Sequence, residues 1–87
     1  MHADKPDVLR RLASIQGHLQ GIRKMVENDE YCVDILKQTH AVKRAIDKLE
    51  GAIVSEHLAG CVVSGVENGR GDDTVRELNE IFELSRK

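Results

Sequence analysis

An all-α protein is predicted by three observations. Apolar residues recur at alternating spacings of four and three along two long stretches, no segment alternates apolar and polar residues as a half-buried strand would, and the aromatics are Tyr31 and Phe82 alone. Charged residues make up 32% of the chain, and the apolar ones are mostly Leu, Ile, Val and Ala, the composition of a helical bundle. Its 87 residues form one small domain, 1–87, which buries a modest share of its surface alone. Oligomerisation is the natural way to complete such a core.

Three helices are expected, over about 5–27, 30–62 and 73–86. The first follows Asp4, has Pro6 in its first turn, and carries Val8, Leu12, Ile15, Leu19, Ile22 and Val26 as a heptad seam. The cluster Glu27-Asn28-Asp29-Glu30 then offers a turn and an N-cap. The second seam runs Ile35, Thr39, Val42, Ile46, Leu49 and Ile53, and continues through His57 and Cys61 to about Val62. A helix of this length tolerates Gly51 and Gly60 at about 1 kcal/mol each, and two shorter helices broken at Gly51 are the alternative. Ser64 to Gly71, with glycines at 65, 69 and 71, reads as a loop. Asp72 or Asp73 caps the third helix, whose apolar positions are Val75, Leu78, Ile81, Phe82 and Leu84.

No apolar run approaches the ~18 residues of a membrane span, and the N-terminus lacks the apolar core of a signal peptide. A cytoplasmic protein is expected, in which Cys32 and Cys61 stay reduced, so a metal-binding or redox-sensing role is favoured over a disulfide. Without a nucleophile triad, a phosphate loop or paired buried carboxylates, no enzyme and no small-molecule substrate are expected.

The segment "SEHLAGC" places His57 and Cys61 four residues apart, one above the other on a helix. Cys32 precedes His57 by 25 residues, about 37 Å along a continuous helix. Doubling back at Gly51 still leaves about 20 Å between them. No single chain brings the three together. A two-fold dimer with the long helices antiparallel sets Cys32 of one subunit beside His57 and Cys61 of the other, twice by symmetry. Two thiolates and one imidazole suit Cu(I), one per subunit, whereas Zn(II) wants a fourth ligand and Ni(II) more nitrogen or oxygen. The bland alternatives are a chance HxxxC spacing and cysteines that serve as small buried hydrophobes.

The run "GHLQGIRKMVENDEYCVDILKQTHAVKRAIDKLEGAIVSEHLAGCV", and within it "GIRKMVENDEYCVDIL" and the triplet Cys32, His57, Cys61, resembles the copper-sensitive operon repressors of the CsoR/RcnR family. The resemblance covers almost the whole chain. It implies an antiparallel four-helix-bundle dimer built from helices 1 and 2, a dimer of dimers, and a repressor that binds operator DNA when metal-free and releases it on binding its effector. It further implies Cys32, His57 and Cys61 as ligands, Tyr31 and Glu77 as outer-shell residues near His57, and Arg11 and Lys48 among DNA-contacting residues. Glu77 would accept a hydrogen bond from the second imidazole nitrogen of His57 and tie metal occupancy to the third helix.

Net charge is −2, with no standard DNA-reading motif, so bulk electrostatics argue mildly against nucleic acid. Charge is uneven, however. Through residue 50 there are nine Lys or Arg against eight Asp or Glu, and beyond it four against seven. Arg10, Arg11, Lys37, Lys43, Arg44 and Lys48, repeated in a homotetramer, make a basic stripe for phosphates; otherwise they are a solvated helix face. His18 and His40 read as interface or surface histidines, and Met25 as core. A nickel-responsive repressor, with His2 near the chain start as a further donor, is the alternative metal reading. Two others stand beside it: a persulfide or oxidant sensor working through the thiols alone, and a copper chaperone or storage bundle.

Overall fold

The computed structural model describes residues 4–58, 60 and 63–85, and among them every regular element is helical. Helix α1 spans Lys5–Glu27, with the Asp4 carboxylate accepting the Asp7 N–H at 3.3 Å and Pro6 in the first turn. Helix α2 spans Cys32–His57, α3 Val63–Glu67 and α4 Gly71–Ser85. The alternative of two shorter helices broken at Gly51 is not realised, since α2 runs through it without interruption, although it ends at His57 rather than near Val62. Gly51 is exposed, and an added Cβ there would meet nothing within 4 Å. Gly51→Ala is therefore expected to stabilise the protein by about 1 kcal/mol, seen as a higher urea midpoint at unchanged slope.

The turn between α1 and α2 explains why the second helix begins at Cys32 rather than near residue 30. Asp29 takes φ +53°, its N–H bonds to Val26 O, and the Glu30 N–H reaches back to Met25 O at 3.0 Å. This is a Schellman motif with an aspartate in the left-handed position. Residues 29 and 30 are thus spent closing α1, and the N-cap of α2 falls to Tyr31, which makes no side-chain cap.

The region 64–71, read as a loop, holds a fourth helical segment. Helix α3 ends in a second Schellman turn: Gly69 has φ +77°, the Gly69 N–H bonds Val66 O at 3.3 Å and the Arg70 N–H bonds Gly65 O at 2.7 Å. Only Gly69 of these three glycines needs the left-handed region; Gly65 lies inside α3, and Gly71 opens α4 two residues before the predicted start. Asp72 and Asp73 occupy the first turn of α4, where carboxylates favour the helix dipole.

Helices α1 and α2 pack side by side around Val8, Ile15, Ile22, Val42 and Leu49, with Ile35, Ala45 and Ile53 partly buried against them. His18 Nε2 and Gln38 Oε1 join the two helices at 2.7 Å. The fully buried positions of α1 are seven apart, so only half of its seam is used within the chain. The other half of the α1 seam stays open, with Leu12 39%, Leu19 50% and Val26 55% exposed. The protein measures 56 × 28 × 13 Å with a radius of gyration of 17.3 Å, against about 12 Å for a compact globule of this length. Its thinnest dimension is about one helix diameter. The subunit is a single layer of helices with one apolar face uncovered.

Candidate metal centre and nucleic-acid interface

Cys32 is the first residue of α2 and is exposed. His57 is the last, and the Nε2 edge of its ring meets α4. A separation of 25 residues along unbroken helix sets them about 37 Å apart, so the structure brings neither to the other within one chain. Cys61, the third expected ligand, lies outside the described residues, as does His2. Among the described residues no three His, Cys, Asp or Glu side chains converge to hold an ion.

What the fold does assemble is the histidine's environment. Glu77, on α4, places Oε2 3.0 Å from His57 Nε2. With the carboxylate ionised, Nε2 carries the proton and donates, which leaves the Nδ1 lone pair free to bind a metal. The imidazole is half-buried and Glu77 more open. The pair forms the wall between two depressions: a polar one reaching Gly65, Arg70 and Thr74, and an apolar groove lined by Ile53, Val54, Ile81 and Leu84. Tyr31, expected beside His57, stands at the opposite end of α2, 68% exposed, so it can approach His57 only across two chains. Of the apolar positions of α4, Val75, Phe82 and Leu84 are more than half exposed.

The basic residues are at the surface. Arg11 Nε donates to Asp7 Oδ2 at 3.0 Å and Arg10 pairs with the other oxygen of the same carboxylate. The Arg11 hydrogen bond holds the Asp7 carboxyl below its ordinary value, against an opposing effect of burial and with further help from Arg10. A depressed folded-state pKa adds stability above the unfolded value of 3.8 that disappears as pH falls through the folded one. Lys37, Lys43, Arg44 and Lys48 are exposed along α2. On a helical wheel Lys37, Arg44 and Lys48 cluster on one flank away from Val42 and Leu49, whereas Lys43 stands on the other flank. Sequence reasoning gave no role to Gly65 and Thr74; their signal is visible only once α3 and α4 are seen to touch.

A slab of two long helices with an open apolar face carries one histidine oriented by a carboxylate and, at the other end of α2, an exposed thiol. A family model described as metal-sensitive transcriptional repressor matches residues 4–85, and the chain belongs to that family, the CsoR/RcnR repressors. That family comprises transcriptional repressors, not enzymes. The copper-sensing transcriptional repressor CsoR of Bacillus subtilis is 38% identical over 84 residues, covering 97% of this chain and 83% of the relative. The crystal structure of the copper-sensing repressor CsoR with Cu(I) from Geobacillus thermodenitrificans aligns at TM-score 0.90 and 32% identity, over 94% of this chain and 85% of that one. The nickel-responsive transcriptional regulator InrS aligns at TM-score 0.83 and 26% identity, over 97% and 94%.

Proposed function

We infer that the protein is a Cu(I)-responsive repressor that holds operator DNA when metal-free and lets it go when each subunit takes up one cuprous ion. Cys32 of one protomer, with His57 and Cys61 of its antiparallel partner, supply two thiolates and an imidazole, a soft three-donor set that suits Cu(I). The observation that carries the reading is the His57–Glu77 hydrogen bond, which presents Nδ1 as a metal donor and fastens the donor to α4. Glu77 serves as the relay and Tyr31 as a neighbour of the site across the dimer. Cys32 at the start of α2 in one chain and His57 at its end in the other would hold the ion together with Cys61, so metal occupancy would tie the two helices to each other. Metal and DNA then lower each other's affinity by one factor, because each favours a different arrangement of the same assembly.

The uncovered half of the α1 seam, with Ile46 of α2 exposed beside it, supports a four-helix-bundle dimer, and pairing of such dimers into a tetramer multiplies the basic residues Arg10, Arg11, Lys43, Arg44 and Lys48 along the duplex. Anaerobic titration with Cu(I), Ni(II) and Zn(II), followed by binding to DNA upstream of the protein's own gene, tests this function. Release by Cu(I) at one ion per subunit is expected. Release by Ni(II) alone would move the protein to the nickel reading that its likeness to InrS keeps open. Release that survives His57→Ala would assign the switch to the thiols alone.

A further inference from the structure

We propose that the contact between Gly65 and Thr74 is the device that positions Glu77 against His57, so that two residues outside the ligand set fix the strength of the metal-to-DNA coupling. The inference rests on the relay just described. Thr74 is 5% exposed, the one buried polar side chain among the described residues. Its Oγ1 donates to Arg70 O at 2.9 Å and its N–H to the same oxygen at 3.0 Å, while the Arg70 N–H donates to Gly65 O at 2.7 Å. Gly65, Arg70 and Thr74 thereby close a lock at the junction of α3 and α4. A Cβ built on Gly65 would overlap Thr74 Oγ1, whereas Thr74 Cβ is 3.8 Å away, an ordinary contact distance. Nothing larger than glycine fits at 65 while the Thr74 hydroxyl stays where it donates to Arg70 O.

Glu77 lies three residues beyond Thr74, on the same side of α4. The lock and the relay line one polar depression, which contains His57, Gly65, Arg70, Thr74 and Glu77. A displacement of α4 at Thr74 is carried by the rigid helix to Glu77, and a hydrogen bond of 3.0 Å has little slack to absorb it.

Gly65→Ala is the test, read in two ways. In the metal-free protein, nitrogen-correlated NMR of the imidazole at a pH where it is neutral reports which nitrogen carries the proton. The wild type is expected to hold it at Nε2, and Gly65→Ala to lose that preference. In DNA binding, metal-free affinity should stay within about twofold while the copper-driven loss of affinity shrinks by at least about fivefold. Gly65→Ala with Thr74→Ala exchanges the overlapping oxygen for the new methyl and should restore both readouts to within about twofold. Unchanged tautomer and release in Gly65→Ala, or no recovery in the double variant, would overturn the proposal. If copper does not release DNA from the wild type, the functional reading has failed, and the tautomer readout still decides the positioning role. Should Gly65→Ala fail to fold, Thr74→Ala empties the same contact without adding an atom; a wild-type tautomer and full release in that variant would also sink the idea.

Discussion

A mixture of Cys32→Ala and His57→Ala subunits, each lacking a donor, is expected to regain about a quarter of the wild-type Cu(I) sites once the chains reassort at random. The arithmetic follows from the antiparallel pairing. Half of the dimers are then mixed, and each mixed dimer has one centre with no lesion and one with both. Spectroscopic titration of the mixture against each variant alone measures it. Each variant alone leaves two donors of three at every centre, and loss of one soft ligand should weaken binding by orders of magnitude. A site confined to one chain gains nothing on mixing, so the absence of recovery would refute the shared site. The unbroken course of α2 is what makes the test decisive: it keeps Cys32 and His57 of one chain about 37 Å apart.

Arg11→Ala is expected to weaken operator binding and flatten its salt dependence, and Asp7→Asn to do the reverse. Each phosphate contact contributes about 0.9 to the slope of log affinity against log salt, and repetition of the residue in an oligomer multiplies the change by the number of copies on the duplex. Asp7 now accepts from both Arg10 and Arg11, so a phosphate must compete with that carboxylate for them. Filter binding or fluorescence anisotropy across a salt series gives both slopes. Equal slopes for Arg11→Ala and the wild type would remove this end of α1 from the interface. The same pair separates charge from stability, since Asp7→Asn also abolishes the acid-dependent stability that Arg11 confers on the carboxyl.

The long helices were legible because their burial is periodic. Val8, Ile15, Ile22, Val42 and Leu49 are the positions a heptad pattern selects, and they form the core. The pattern could not tell which half of a seam faces the chain's own second helix and which half stays open, because Leu19 and Ile22 look alike as residues and differ only in what lies opposite. The helix ends were less legible. Asp29 and Glu30 resemble a helix start and are instead the closing residues of α1, a choice made by backbone hydrogen bonds. The glycines of 64–71 misled for a related reason. A glycine may be present for a left-handed turn, as Gly69 is, or for a close approach, as Gly65 is, and composition does not separate the two. The partnership of His57 with Glu77 was expected from family resemblance; twenty residues separate them in sequence, and no local pattern links them.

The length of α2 has one more consequence. In an antiparallel pair it acts as a ruler, setting the two centres of a dimer about 37 Å apart, several times the ~8 Å over which dissolved salt damps charge at physiological strength. One cuprous ion cannot feel another through its field at that range. If the dimer fills its centres cooperatively, the message must travel as strain along two rods, and stiffening or loosening them at Gly51, inside α2, should retune it while leaving either centre chemically intact.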